Sequence, residues 1–457
     1  MPLKFSGMAT LSPSDLVFGT SKRPLSYGIG LKIGSGHVVP ELKYFTKSAS
    51  QGRTEDIKNE VVQITTDVLQ RASELGVPSL QLDTEFTFVE TSRPTMVGEI
   101  TSAQKALLEK GCRESGISAG LRTTIADMRD PRRDGFDPDS RARMMESFEA
   151  AASNGADVLS IESEGGKDVF NHAVVRQDLA GVVFALGVLA PIDMARLWKD
   201  IVGIATRAGV IPGGDTACAF GNTALRLAGG VGQMTISHIF AAVVRAMSAS
   251  RSLVAYEEGA TGPGKDCGYE NVILKAITGF PMSMEGKTSA SAHSSLVGNV
   301  SAAACDLWSN EQVQNDRMFS GSAPQAFLEM LHYDTKLMNQ AQKDGKALVL
   351  RDLLVNSDKF SDPQAFVLSP DVAWSIGEST VTESDDQYRR TVKAGQKALD
   401  LILASEGLAL SESERRFGLR LRRAFSSLPG ELDDFVPKMT STYRAKVASF
   451  RPKDYGL

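Results

Sequence analysis

The sequence has little of what marks secreted, membrane-spanning or nucleic-acid-binding proteins. Four cysteines in 457 residues are too few for a disulfide framework, so we expect free or metal-bound thiols in a reducing compartment. No apolar run of roughly 18 residues occurs, and the first residues lack the order of a secretory signal. The 50 basic residues do not outnumber the 55 acidic ones, which argues against binding to nucleic acid or to an anionic membrane. We therefore expect a cytoplasmic globular protein.

The sequence does contain a repeated order of amphipathic helix, glycine and short apolar strand. With 42% hydrophobic residues, the chain can bury a large core. The clearest repeat has an apolar helix face on Ile57, Val61 and Ile64, then Gly76, then the strand VPSLQLDTEF. Helices that alternate with strands in this way are typical of a parallel sheet.

Seven candidate strands precede residue 290, and we expect an eighth in the less regular region that follows. They include YGIGLKIG, ISAGLRTTIAD, ADVLSIE, GVIPGGDTAC, SLVAYEEG and PMSMEGKT. Eight strands would close a barrel. An open doubly wound sheet is the alternative, but such a sheet usually has an early glycine-rich turn, and none follows the first strands here. We therefore predict an α/β protein with a (β/α)8 barrel of the TIM type.

The strand pattern fades near residue 330, and helices are predicted from there to residue 457. We assign residues 1–330 to the barrel and residues 331–457 to a helical extension packed on it, because no linker rich in Pro, Gly or Ser separates them. In the extension, Ser411 and Glu414 predict a capping box before an arginine-rich helix. We interpret its charges as a solvated face, and a docking patch is the alternative.

Acidic and thiol side chains follow several predicted strands. The carboxyl ends of barrel strands meet at one rim and carry the chemistry of such folds. Glu162, Cys218 and Cys267 lie after different strands and could converge there. Two thiolates and a carboxylate suit zinc and leave a fourth position open for a substrate. The competing interpretation is that each cysteine is a small buried apolar residue, as we expect for Cys112 and Cys305.

Five blocks of the sequence resemble segments of the zinc-dependent methanol:corrinoid protein methyltransferases. The blocks are LSIESEGGKDVF, GDTACAFGNTA, RSLVAYEEGATGPGKDCGYEN, ITGFPMSMEGKTSASAH and CDLWSNE, spread over most of the chain. The resemblance implies that Glu162, Cys218 and Cys267 are the zinc ligands. It also implies that the methyl group of methanol passes to the Co(I) centre of a separate corrinoid protein, within an assembly built on a homodimer.

Methanol is a poor methyl donor because its leaving group would be hydroxide, so a proton must reach the departing oxygen. We select Asp215 and Asp266 as candidate acids because each lies near a proposed thiolate in the sequence. The alternatives are structural: Asp215 would orient the GDTAC turn, and Asp266 would cap a helix that starts near Gly268.

The corrinoid is expected on the partner protein. Corrinoid-carrying domains of this system present a D-x-H-x-x-G motif, and none of the five histidines here lies in one. We retain only His293 as a candidate pocket residue. Two alternative functions stay open: the same zinc mechanism acting on another small methyl donor, and a binding subunit that has lost catalysis.

Overall fold

A curled sheet of parallel strands forms the centre of the computed structural model, which describes residues 3–47, 53–129, 138–229, 234–293, 296–382 and 386–457. The strands in these residues are β1 (Thr20–Tyr27), β2 (Leu31–Ser35), β3 (Val39–Tyr44), β4 (Ser79–Glu85), β5 (Ser118–Ile125), β6 (Val158–Ile161), β7 (Ile211–Gly214), β8 (Ser283–Glu285), β9 (Leu307–Ser309), β10 (Arg317–Met318) and β11 (Gly321–Ser322). Seven of these described strands form the parallel sheet, in the spatial order β7, β6, β5, β4, β3, β9, β8.

Residues 261–264 close this sheet between its two edge strands. The N–H of Thr261 donates to the carbonyl of Pro212 in β7, at 2.9 Å. On the other side, the N–H of Ser283 in β8 donates to the carbonyl of Gly264 at 3.2 Å. The seven described strands and this segment therefore surround one interior, which confirms the predicted (β/α)8 barrel of the TIM type.

Helices follow the barrel strands and cover the outside of the sheet. In the described part of the chain they are α1 (Thr54–Leu75), α2 (Phe88–Thr91), α3 (Pro94–Ser115), α4 (Pro138–Ser153), α5 (Lys167–Val174), α6 (Leu179–Phe184), α7 (Ala190–Ala208), α8 (Thr223–Ala228), α9 (His238–Glu258), α10 (Asn271–Thr278), α11 (Lys287–Ala292), α12 (Ala323–Lys343), α13 (Ala347–Asp358), α14 (Pro363–Leu368), α15 (Pro370–Thr382), α16 (Gln387–Ala404), α17 (Glu412–Ser426) and α18 (Leu432–Lys446). Shorter helical turns occupy Pro13–Asp15, Ala185–Leu189, Cys218–Asn222, Gly298–Ala304 and Pro452–Tyr455.

Two predicted strands are not barrel strands. YGIGLKIG spans the turn of the antiparallel β1–β2 hairpin, which covers the amino-terminal end of the barrel through a hydrogen bond from Ile29 to Ala119. SLVAYEEG is the last part of α9, which is buried on all sides. A helix with no polar face lacks the 3.6-residue period, so its apolar run reads as a strand. The barrel strands that complete the set are β3 and β9, and β9 lies in the block CDLWSNE.

Two helical stretches are long and apolar enough to span a membrane when judged by length and composition alone. They cover residues 179–208 and 238–258. In the most apolar part of the first stretch, 78% of the residues are buried. In the most apolar part of the second stretch, all of them are buried (100%). Both are therefore interior helices of the barrel protein, packed against its other elements.

The carboxyl-terminal helices pack on the barrel helices. α12 contacts α1 and β3, so it completes the outer ring after the last barrel strand, and the predicted boundary after residue 330 falls inside it. Farther along, α16 lies against α9. Ser411 caps α17 by accepting from the N–H of Glu414, but the predicted capping box is incomplete. The carboxylate of Glu414 accepts instead from the N–H groups of His238 and Ile239, at the start of α9. The division into barrel and extension stays a prediction.

The interior of the barrel contains buried charges as well as apolar side chains. Arg122 in β5 and Glu41 in β3 are fully buried, and Nε of Arg122 lies 2.8 Å from Oε1 of Glu41. Arg122 also donates to Oγ of Ser160 in β6 at 3.0 Å and to the carbonyl of Pro263 at 3.1 Å. One guanidinium therefore joins three strands and the closing segment, because its five donors are held in a rigid plane.

We expect Arg122→Met to lower the free energy of unfolding by about 3–5 kcal/mol, because it leaves the carboxylate of Glu41 buried without its partner. Urea unfolding followed by circular dichroism measures the change. The double variant Arg122→Met/Glu41→Gln should recover most of the loss, since neither charge then remains. Equal unfolding midpoints for Arg122→Met and the parent would contradict this account of the interior.

Candidate metal centre

Three side chains from different segments of the barrel meet at its carboxyl-terminal rim. Glu162 directly follows β6, Cys218 begins the helical turn after β7, and Cys267 follows the closing segment of the sheet. One ligand atom from each side chain lies within 4.8 Å of the other two. The thiol of Cys267 donates to Oε1 of Glu162 at 2.6 Å. The structure thus brings together the three residues that the sequence analysis selected as metal ligands.

The loop that carries Glu162 is fixed by a buried ion triad. Asp127, just after β5, accepts from the N–H of Glu164 at 2.9 Å. Arg129 binds Asp127 at 2.6 Å and Asp193 of α7 at 2.5 Å. The loop passes so close to this triad that a Cβ on Gly165 would lie 2.2 Å from Oδ2 of Asp193. Glycine is therefore required at this position for the loop to reach the rim.

Asp215 connects the loop of Glu162 to the turn of Cys218. Its carboxylate is fully buried and accepts from the N–H of Ser163 at 3.0 Å, Nε1 of Trp198 at 2.9 Å and the N–H of Thr216 at 2.7 Å. Arg251 supports the same junction through the carbonyls of Ser163 and Thr216, at 2.7 and 2.8 Å. These contacts fit the structural alternative for Asp215, and its role as proton donor stays a prediction.

Asp266 lies beneath the ligand group, between two buried lysines. Its carboxylate is 2.5 Å from Nζ of Lys265 and 3.1 Å from Nζ of Lys43, and it accepts from Oγ of Ser309 at 2.8 Å. Burial raises the pKa of Asp266, but the two lysines lower it more, so it lies below its ordinary value. Asp266 does not cap a helix, because α10 begins only at Asn271. Its role as proton donor stays a prediction.

A cavity of about 320 Å³ opens beside the ligand group. Its lining includes Glu85, Phe86, Phe88, Thr124, Glu162 and Gln312. Burial raises the pKa of Glu85 to about 7, while Lys265 lowers it and the charge of Glu162 raises it. The sequence analysis did not select Glu85, which lies in the predicted strand VPSLQLDTEF, because its pKa depends on surroundings that a sequence does not reveal.

The thiol pKa values also reflect the crowding of negative groups. The hydrogen bond with Cys267 lowers the pKa of Cys218, but burial and the charge of Glu162 raise it more. Burial raises the pKa of Cys267 well above its ordinary value, and Cys218 and Glu162 raise it further. Glu162 thus raises the pKa of both thiols, and a divalent cation bound between these groups would relieve the repulsion.

The remaining candidates are not part of the ligand group. His293 ends α11 with Nδ1 3.0 Å from the carbonyl of Ser289 and 3.9 Å from a carboxylate oxygen of Glu311, and it is not part of the described cavity lining. Cys112 and Cys305 are buried in the hydrophobic core, which confirms their interpretation as core residues.

The donor set fits zinc. Thiolate sulfur and carboxylate oxygen are ligands that this borderline-soft ion binds, and three protein ligands are typical of catalytic sites. Their separation allows one ion to contact all three after small side-chain adjustments, because the ligand atoms already lie within 4.8 Å of one another. Glu162 also lines the cavity, so a ligand can approach the group from that side.

Comparison with known proteins gives one consistent result. Residues 3–456 match the family described as the methanol-cobalamin methyltransferase B subunit, MtaB. The chain is 42% identical over 457 residues to the methanol–corrinoid protein co-methyltransferase of Methanosarcina barkeri, and the match covers 99% of both chains. It is also similar to a chain in the crystal structure of the methanol:cobalamin methyltransferase complex MtaBC from Methanosarcina barkeri, with a TM-score of 0.96, 41% identity and 99% coverage of each chain.

Proposed function

This chain belongs to the methanol-cobalamin methyltransferase B subunit family, and on that premise we propose that it transfers the methyl group of methanol to the cobalt of a separate corrinoid protein. The full-length relationship at 42% identity is the observation that carries the proposal. The position of the ligand group supports it, because active sites of TIM-type barrels lie at the carboxyl-terminal rim. The enzyme is therefore a methyltransferase whose second substrate is a protein.

Glu162, Cys218 and Cys267 are the proposed zinc ligands. Bound zinc would supply Lewis acidity that stabilises the oxygen separated from the methyl group. The ligands together carry three negative charges when ionised, which weakens that acidity. Lys265 offsets part of this charge, because its fully buried ammonium lies 3.6 Å from Oε1 of Glu162 and 2.9 Å from Oδ2 of Asp83.

Proton delivery is assigned to a carboxyl group at this rim. Asp215 and Asp266 remain the acids selected from the sequence. The geometry adds Glu85 as a third candidate, since it lines the same cavity as Glu162 and its pKa of about 7 keeps a protonated fraction at neutral pH. Asp266, whose pKa is lowered by its lysines, holds a proton less readily.

The partner of the chain is a corrinoid protein that brings its cobalt to the cavity. Two copies of the chain are expected to form the core of the assembly, and light scattering of the purified protein measures this. We place the enzyme in the cytoplasm, which agrees with its free cysteines. Neither nucleic acid nor membrane is expected as a partner.

The first test combines metal content with methyl transfer. We expect the anaerobically purified protein to contain about one zinc per chain and to form methylcobalamin from methanol and cob(I)alamin, as its visible spectrum reports. Cys218→Ala, Cys267→Ala and Glu162→Gln should lose zinc and activity together. Cys112→Ala is the matched control because its thiol lies in the core.

The outcomes separate the alternatives. If the zinc-loaded protein transfers a methyl group from another small donor but not from methanol, that donor is its substrate and the proposal for methanol is wrong. If the parent protein contains no zinc and transfers no methyl group, the proposed mechanism is refuted. The alternative of a non-catalytic binding subunit would then be favoured.

The second test concerns the proton donor. An acid is active only while protonated, so we expect the methyl-transfer rate constant to fall as the pH rises through the pKa of Glu85, which is about 7 and is lowered by a cation bound at Glu162. Glu85→Gln should lower the rate constant by about 10²–10⁴-fold and abolish this descending limb. Asp215→Asn and Asp266→Asn should retain the limb. A limb that survives in Glu85→Gln and disappears in one of the aspartate variants would assign the proton to that aspartate.

A further inference from the structure

The sulfur of Cys218 has an amide donor beside it that the proposed mechanism does not use. Nδ2 of Asn222 lies 3.4 Å from Sγ of Cys218 and 3.1 Å from the carbonyl oxygen of Cys267. Asn222 is buried, four residues after Cys218 in the wide helical turn Cys218–Asn222. A single side-chain amide therefore contacts both segments that supply thiol ligands.

The orientation of this amide is fixed by Arg245. Nη2 of Arg245 donates to Oδ1 of Asn222 at 2.5 Å, and Nη1 lies 3.0 Å from Oε2 of Glu270. A guanidinium has only donors, so Oδ1 must face Arg245 and the NH₂ group must face the sulfur. Arg245 and Glu270 are fully buried, so solvent does not compete for these contacts.

The local sequence accommodates this arginine. A Cβ on Gly221 would lie 2.4 Å from Nη1 of Arg245, so the turn needs glycine immediately before Asn222. At the far side, Oε1 of Glu270 accepts from the N–H of Ala217, at 2.8 Å. The contacts therefore form a closed loop, from the residue before Cys218 through Glu270, Arg245 and Asn222 to the sulfur itself.

We propose that Asn222, oriented by Arg245, is a positioning residue that tunes the proposed zinc centre through the sulfur of Cys218. An N–H that points at a thiolate takes up part of its negative charge, and the positive charge of Arg245 polarises the amide in the same direction. This stabilises the ionised ligand and weakens electron donation from the sulfur to the metal. The inference rests on the proposed function, because it assumes that Cys218 binds zinc.

Metal binding and spectroscopy test the inference without activity measurements. Zinc affinity is measured by competition with a chromophoric chelator. Groups that support metal ligands typically change affinity by about 10–100-fold when they are removed, so we expect Asn222→Leu to weaken zinc binding by about this factor. In protein loaded with Co²⁺, the thiolate-to-cobalt charge-transfer band should move to longer wavelength, because the sulfur has lost its donor.

Asn271→Leu is the matched control. Asn271 is also fully buried, and its amide donates at 2.7 Å to the carbonyls of Lys265 and Ser283, so it holds the segment of Cys267 without a described contact to sulfur. We expect its cobalt band at the parent wavelength. Asn222→Ala leaves room for water at Arg245 and should shift the band in the same direction as Asn222→Leu. It replaces Asn222→Leu in the experiment if the leucine variant does not fold.

The outcomes distinguish this inference from the function on which it rests. Equal zinc affinity and an unshifted band in folded Asn222→Leu or Asn222→Ala overturn the inference alone. An equal shift of the cobalt band in Asn271→Leu also overturns the inference. The shift could then be explained by a looser segment around Cys267, without a hydrogen bond to the sulfur of Cys218. A parent chain that binds neither metal overturns the proposed function together with the inference.

Discussion

Pairing of buried charges inside the barrel is the constraint on which the rest of the structure depends. Lys265 and Lys43 are almost completely shielded from solvent and lie among Asp83, Asp266 and Glu285. Charges removed from water persist in a protein only when partners compensate for the lost hydration. Each of these side chains begins on a barrel strand or directly after the closing segment, so compensation is achieved only when these parts keep their relative positions. Pairing of these buried charges therefore fixes the relative positions of the strands, and with them the positions of the loops at the carboxyl-terminal rim.

The ligand group is supported from two sides. On one side, Asp215 and Arg251 join the loop of Glu162 to the turn after β7. On the other, Asn222 links Cys218 to the segment of Cys267. The three ligands, which follow β6, β7 and the closing segment, are thereby held by hydrogen bonds between their own loops. Such supports reduce the reorganisation needed when a metal binds, and they explain why so many buried polar residues surround a small site.

The sequence predicted the architecture better than the individual strands. The alternation of short apolar strands with amphipathic helices along the chain was sufficient to predict the parallel barrel. In such a barrel the strands are apolar and most outer helices have one apolar face. The pattern failed for SLVAYEEG, whose helix has no solvent-facing side, and for YGIGLKIG, whose hairpin alternates like a barrel strand. An eighth strand was expected after residue 290 without a fixed position, and β9, which has only three residues, lies there. The barrel strand that was not predicted is β3.

Residues of the site were predictable to different degrees for a similar reason. Glu162 and Cys267 are 105 positions apart, so spacing alone could not establish a ligand set, and the resemblance of long blocks supplied it. Asn222 was not recognisable, because its role depends on Arg245, 23 residues away on another helix. Side chains that act through a neighbour leave no local signal, whereas side chains at strand ends do.

The proposed metal and the proposed acid are coupled by charge. The negative charge of Glu162 helps to raise the pKa of Glu85. A cation held by Glu162 would cancel that charge and attract the ionised form of Glu85, so metal binding lowers the pKa of Glu85. Lys265, which lies 3.6 Å from Glu162, acts on Glu85 in the same direction. Burial of Glu85 opposes both effects, because it raises the pKa of this carboxyl group. The depth of this side chain in the barrel therefore decides whether one site can hold a metal ion and a protonated carboxyl group together.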